Sequence, residues 1–410
     1  MAVKRTPEQE EVVKNRGGAL LVSAAAGSGK TRVLVERLMD YILQGGRNID
    51  EFLIITFTRA AAEELRARIA KEIAEALAAQ PDHAHLRQQT VRLYETQIST
   101  IHAFCTVLLR QWGHLLDIPG DFALCEDEEA QVLMTRTLNQ VLEARYEEID
   151  PTGPFARLLD VLSKGRDDSR LLEITLDIYG KIQSYPDPLA WLASQREALD
   201  LSAVTDVGQT PWGSLLLEEA GQTAAYWADQ MAWACDLAQK EAGLEKAYGD
   251  SLQATRRSLE AFVQAAGTSW DEAARVEIVF PKLKAARGVE DPALQEQIKS
   301  IRARCKKAVE ELTQTVSGPS APLLADMALV YPAMLGLLDL VEDFSRAYEA
   351  AKKQRSLLDF SDLEHLAVRL LVDEAGGPTP LARQWGARYT EIMVDEYQDT
   401  NQVQNTIFQA

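Results

Sequence analysis

At 410 residues, with 46% hydrophobic and 26% charged side chains, the chain has enough material for two or three cores and the profile of a globular protein. Its formal net charge of −19 speaks against a polyanionic partner only until the charge is located: residues 1–124 hold 15 basic and 15 acidic side chains, and the whole excess lies after them. No apolar run approaches the roughly 18 residues that cross a bilayer, the N-terminus lacks the apolar core of a signal peptide, and the scattered Cys105, Cys125, Cys235 and Cys305 have no metal spacing. Reduced thiols and a cytoplasmic location without membrane contact are the expectation.

Thr6-Pro7-Glu8-Gln9 opens a helix running to about Asn15, with Thr6 as cap, Pro7 at the first helical position and Gln9 where a capping box places its amide. Gln9 also lies just upstream of a small-residue stretch, where its amide could read an adenine edge, and the sequence leaves both roles open. Ala19–Val22 reads as an apolar strand. It breaks into Ser23-Ala24-Ala25-Ala26-Gly27-Ser28-Gly29-Lys30-Thr31 and then a helix to Leu43. Loops of this kind cradle phosphates, because glycines let backbone N–H groups turn inward and the helix start adds positive dipole. Lys30 would reach the β- and γ-phosphates of ATP and Thr31 would hold Mg²⁺. The full pattern has Gly where this chain has Ala24.

Phe52–Phe57 reads as a buried strand, and Thr58 caps a long helix from Arg59 to about Ala79. A short strand, Gln97–Thr100, leads into Ile101-His102-Ala103-Phe104 and another helix. Alternation of strand and helix at this spacing predicts an α/β fold with a parallel sheet and helices on both faces, its ligands at the carboxyl ends of the strands. Phe57 and Phe104 are core residues by default and His102 an ordinary satisfied polar residue. Their place at that edge opens the alternative of aromatic stacking on nucleobases, with threonine hydroxyls on phosphates.

From about Cys125 to Lys353 the pattern is helical and acidic, broken at 150–154, 185–188, 209–211 and 317–320, with one long helix expected from Trp212 to Gly249. The tryptophans there read as core, and no chemistry is evident. The α/β pattern returns at Leu357–Leu363. Tyr389–Val394 then reads as a buried strand ending in Asp395-Glu396-Tyr397-Gln398. Beside a phosphate loop, Asp395 would hold Mg²⁺ through water and Glu396 would act as general base on the attacking water.

The ordered set Thr-Pro-Glu-Gln, Ala-Gly-Ser-Gly-Lys-Thr, Thr-Phe-Thr-Arg-Ala-Ala-Ala-Glu-Glu-Leu, Ser-Thr-Ile-His-Ala-Phe-Cys and Val-Asp-Glu-Tyr-Gln-Asp-Thr-Asn resembles the UvrD-like superfamily 1 DNA helicases. Finer detail, including Leu358-Asp359-Phe360-Ser361-Asp362-Leu363-Glu364-His365, is similar to the AddA-type helicase–nucleases of bacterial AddAB complexes. The resemblance covers about 1–125 and 355–410. It implies a RecA-like ATP-binding motor domain formed by those two stretches, interrupted by an all-α insertion over 126–354 that touches duplex DNA. It implies Gln9 as the adenine reader, the loop Ala24–Thr31 on the phosphates, Asp395 on the metal, Glu396 as base and Gln398 near the γ-phosphate. Thr56, Phe57, Thr58, Arg59, His102 and Phe104 would face single-stranded DNA. Ala60 stands where relatives have a lysine, so no phosphate contact comes from it. A heterodimer with an AddB-like partner, movement in the 3′ to 5′ direction and a role in double-strand break repair follow by the same route. Such motors close ATP between two RecA-like domains. The second of these, with its arginine fingers and the nuclease domain, is expected beyond Ala410 in a longer protein. The alternatives are a UvrD/PcrA-type repair helicase without nuclease, or an ATP- and DNA-binding module that does not turn over by itself.

Overall fold

The computed structural model describes residues 5–25, 27–162 and 167–410. Its helices in chain order are α1 (Pro7–Lys14), α2 (Lys30–Leu43), α3 (Arg59–Ala79), α4 (Ala84–Arg92), α5 (Ile101–Trp112), α6 (Asp127–Glu147), α7 (Pro154–Leu162), α8 (Ser169–Ile182) and α9 (Pro188–Leu199). There follow α10 (Pro211–Gln239), α11 (Ala242–Ala266), α12 (Trp270–Arg275), α13 (Pro292–Thr315), α14 (Ser320–Lys353), α15 (Phe360–Leu371), α16 (Pro380–Gly386) and α17 (Gln402–Gln409). The strands are β1 (Phe52–Thr56), β2 (Gln97–Thr100), β3 (Ala123–Leu124), β4 (Leu357–Leu358) and β5 (Glu391–Val394).

A parallel three-stranded sheet of order β2-β1-β5 organises the α/β part. The central β1 is buried at every position, as the apolar run Phe52-Leu53-Ile54-Ile55 requires. Its side chains alternate between two cores. Leu53 and Ile55 pack with Phe104, Cys105 and Leu108 of α5 and with residues of α15 to α17. Phe52 and Ile54 pack with Leu38 and Ile42 of α2, Leu65 and Ile69 of α3, and Met393. Helices therefore cover both faces of β1, as the strand–helix alternation predicts.

Two expectations about the sheet are corrected. Ala19–Val22 is not a strand: it enters no ladder, and Leu21 is 77% exposed. The strand expected over Tyr389–Val394 is shorter, Glu391–Val394, and only half-covered, with Met393 buried and Ile392 exposed. With order β2-β1-β5, β5 ends the sheet, and among the described residues no strand pairs with its outer side. Glu391 is nevertheless fixed, taking Arg37 Nε at 2.6 Å and Nη2 at 2.8 Å, with Tyr41 Oη at 2.6 Å.

The two ends of the helical region come side by side. β3 and β4 pair in parallel, Ala123 with Leu357, and Cys125 N–H donates to Leu358 O at 2.9 Å. Two compact units divide the chain at other points than 126 and 354. The first comprises residues 1–147, 169–191 and 341–410, and the second 148–168 and 192–340. The second is built on α10, α11 and α13, where an alanine stripe of α10 (Ala220, Ala224, Ala228, Ala234, Ala238) packs into a core with Leu252, Leu259, Phe262, Ile298 and Cys305.

Helices α7, α9, α10 and α14 begin at or beside the breaks read from sequence, three of them on proline. The single helix expected from Trp212 to Gly249 is two, because Glu241 takes an extended conformation at the start of α11. Trp270 is buried and its Nε1 donates to Gly318 O at 3.1 Å, whereas Trp233 is exposed, so the tryptophans are not uniformly core. By length and composition α14 does pass the test for a bilayer-crossing helix, with mean hydropathy 1.7 over its best window. Two aspartates are spread along its first twenty residues, and Phe344, Tyr348 and Lys352 near its end are buried in the protein.

Candidate nucleotide and nucleic-acid site

The small-residue loop ends in two glycines with φ of 78° at Gly27 and 88° at Gly29, left-handed values that a side chain would resist. Gly29 is the N-cap of α2, and no side chain caps that helix. The first N–H groups of α2 are thereby left for a ligand, with the positive end of the helix dipole behind them. Lys30 Nζ folds back to donate to Ala24 O at 3.1 Å, bracing the loop across its mouth. Ala24, Ala25 and Ser28 are exposed on the same loop; Ala26 lies outside the described residues. Thr31 Oγ1 donates to Asp395 Oδ2 at 3.3 Å, although 364 positions separate the two in sequence.

Asp395 follows β5 directly, its N–H bonded to Ile55 O of β1 at 2.9 Å. Glu396 then adopts φ 55°, ψ 41°, a left-handed conformation that is costly for a non-glycine residue. Its carboxylate accepts from Gln398 Nε2. Lys30 and Thr31 thus lie on one segment and Asp395, Glu396 and Gln398 on another, and the Thr31–Asp395 bond joins the two.

Both roles weighed for Gln9 bear on one side chain. Its Oε1 accepts from Thr6 N–H at 3.1 Å, completing the capping box, while its Nε2 donates to Ser28 O of the loop at 3.2 Å. The cap therefore leaves the amide in contact with the loop.

Because β1, β2 and β5 are parallel, the segments after them share one edge of the sheet. Phe57 is half-exposed there, and Arg59 is exposed at the first turn of α3. Thr58 caps α3 by accepting from Ala61 N–H at 3.1 Å. His102, 37% exposed at its side chain, bonds Glu364 through Nε2 at 3.0 Å and packs against the Phe360 ring with centroids 4.9 Å apart.

Two of the residues expected to face DNA do not. Phe104 is 5% exposed, its ring set edge-on to Trp385 inside the core, because helical geometry turns the third residue after Ile101 inward. Thr56 is buried, and its hydroxyl donates to Thr58 O at 3.1 Å.

Residues 5–410 match the family described as the UvrD/REP helicase N-terminal domain. The chain belongs to the UvrD/REP helicase family. Curated relatives named as subunits of an ATP-dependent helicase/nuclease are 36% identical in Heliobacterium modesticaldum, 36% in Lachnoclostridium phytofermentans and 36% in Geobacillus thermodenitrificans. The alignments cover 98%, 99% and 98% of this chain and 31%, 30% and 33% of the relatives. The chain thus spans about a third of the length of these UvrD/REP relatives.

Sequence reasoning missed Glu364 with its partners Asn401 and Gln404. Their signal was faint: one carboxylate in the apolar run Leu363–Leu371, and two amides after an acidic segment.

Proposed function

We propose that this chain is the ATP-binding portion of an AddA-type, ATP-dependent DNA helicase, moving on single-stranded DNA in the 3′ to 5′ direction. The observation that carries the reading is the Thr31–Asp395 bond, which joins the phosphate loop to the acidic strand end. A RecA-like motor formed by residues 1–125 and 355–410, with 126–354 as an all-α insertion, is supported by the parallel pairing of β3 with β4.

The donor set fits Mg²⁺, which takes hard oxygen ligands, keeps several waters and needs only one or two carboxylates. Thr31 Oγ1 and Asp395 are the residues that would hold it. When bound with ATP, the ion neutralises charge on the β- and γ-phosphates. The α2 N-terminus and the glycine-flanked loop receive the phosphates, and Lys30 leaves the Ala24 carbonyl to meet the γ-phosphate. Gln9, already against the loop, reads the adenine. Glu396 accepts a proton from the attacking water, and Gln398, bonded to it, orients that water. Phe57 offers a stacking face to a nucleobase, with Thr58, Arg59 and His102 along the strand's path. Contact with duplex DNA, pairing with an AddB-like protein, a place in double-strand break repair and a bacterial cytoplasmic location complete the reading.

The test is ATP hydrolysis with and without single-stranded DNA in wild type and Glu396→Gln. The proposal predicts that the variant retains nucleotide affinity and loses at least about 10²-fold in turnover. Unchanged turnover in Glu396→Gln contradicts the assignment of the base.

A further inference from the structure

Glu364 of α15 is 4% exposed, in a core made by α5, α15 and α17. A carboxylate in such a place is usually replaceable by an apolar side chain unless its bonds serve something. Here they reach in two directions. Oε1 faces His102 Nε2 at 3.0 Å and accepts from Gln404 Nε2 at 2.7 Å, and Oε2 accepts from Asn401 Nδ2 at 3.4 Å. His102 lies in the first turn of α5 at the carboxyl edge of the sheet and remains partly in solvent. Asn401 and Gln404 begin α17, where Asn401 caps the helix by accepting from Gln404 N–H at 2.8 Å. Between Asn401 and the left-handed Glu396 lie the short turn Tyr397–Asp399 and Thr400. One buried carboxylate therefore bonds a residue of the edge proposed for DNA and the segment that carries Asp395 and Glu396.

The geometry points to Glu364 as a positioning residue that transmits occupancy of His102 by single-stranded DNA to the Asp395–Glu396 segment through Asn401 and Gln404. This rests on the nucleotide and DNA reading given above. Burial alone would raise the Glu364 carboxyl, but the bonds from His102, Gln404 and Asn401 outweigh it and hold it below the usual range. The group is therefore an anion with its oxygens committed. A ligand that turns the His102 ring takes one donor from a buried charge, and the carboxylate or α17 must move to recover it. The relation is reciprocal, so nucleotide at the loop must alter DNA affinity by the same factor.

The test is the affinity for a fluorescent oligo-dT strand, by anisotropy, without nucleotide and with Mg·ATPγS. Wild type is expected to show at least about a fivefold difference, the low end of usual coupling. Glu364→Ala and, from the far side of the relay, Gln404→Leu should each bring that ratio to about one. Nucleotide affinity without DNA and a cooperative thermal melt should be retained, and Glu364→Gln, which keeps the acceptor oxygen, should recover part of the ratio. Variants that keep the wild-type ratio overturn the proposal. Variants that lose both ligands together with their melt also overturn it, by assigning Glu364 to folding alone. A wild type that binds both ligands with no coupling ends the relay but leaves the function standing. One that binds neither contradicts the function itself.

Discussion

Phe57 and Phe104 look alike in sequence, each an aromatic just past a strand on the ligand edge, and the structure separates them. Phe57 is half in solvent beyond β1, whereas Phe104 is clasped by Trp385 and the α15 core. Opposite consequences follow from truncation. Phe104→Ala should cost about 3–4 kcal/mol of stability through lost burial and the cavity left behind, visible as a lower urea midpoint. Phe57→Ala should leave stability within about 0.5 kcal/mol yet weaken oligo-dT binding by about 1–3 kcal/mol, the usual worth of one stacked base. A pair of variants with equal effects on stability would contradict the assignment. The periodicity of a helix start, not residue type, is what distinguishes the two: Phe104 falls on the face shared with Ile101, Cys105 and Leu108. That face was available in the sequence, but the motif around it drew attention to the edge.

Local signals of helix starts were the most legible elements. The Thr6 capping box, the cap at Thr58, and prolines opening α7, α9 and α10 all sit where side-chain chemistry alone places them. Features that depend on partners distant in sequence were not legible. Asp206 is one such case: it accepts from Gly208, Trp270 and Asp271 N–H groups at 2.9, 2.9 and 3.1 Å, tying the approach to α10 to the first turn of α12. Burial works to raise the Asp206 carboxyl, but these donors prevail and hold it below the usual aspartate range. Its contribution is therefore complete above the unfolded aspartate pKa of about 3.9 and disappears as pH falls through the lower folded value. Asp206→Asn should cost about 1–2 kcal/mol at pH 7, with the gap to wild type closing below about pH 4. Urea melts at pH 7 and at successively lower pH below about 4 measure it, and a gap that does not narrow as the pH falls contradicts this role for Asp206. The missing strand at Ala19–Val22 has the same origin, since an apolar run becomes a strand only where a neighbouring strand accepts its hydrogen bonds.

At the scale of the molecule, the charge distribution and the order of motifs carried most of the reading. A neutral stretch of 124 residues is followed by a remainder that carries the whole acidic excess, so the net charge of −19 does not describe the part that holds the phosphate loop. The sequence placed Asp395-Glu396 after a strand, and folding brings that strand beside β1 and across from Thr31. What linear order could not convey is how the helical region is nested. The β3–β4 pairing shows its two ends meeting, and Lys352 at the end of α14 reaches Asp359 at 2.8 Å and Asp362 at 2.7 Å next to that seam.

Everything proposed for this chain depends on the loop before α2 and the acid after β5 forming one Mg²⁺-dependent nucleotide site. Calorimetric titration of ATPγS into wild type and Lys30→Ala, with Mg²⁺ and with EDTA, tests it. Such a site should give saturable one-to-one binding that requires Mg²⁺ and weakens at least about tenfold, or 1.4 kcal/mol, in Lys30→Ala at an unchanged melting temperature. Binding indifferent to both Lys30 and Mg²⁺ would contradict it.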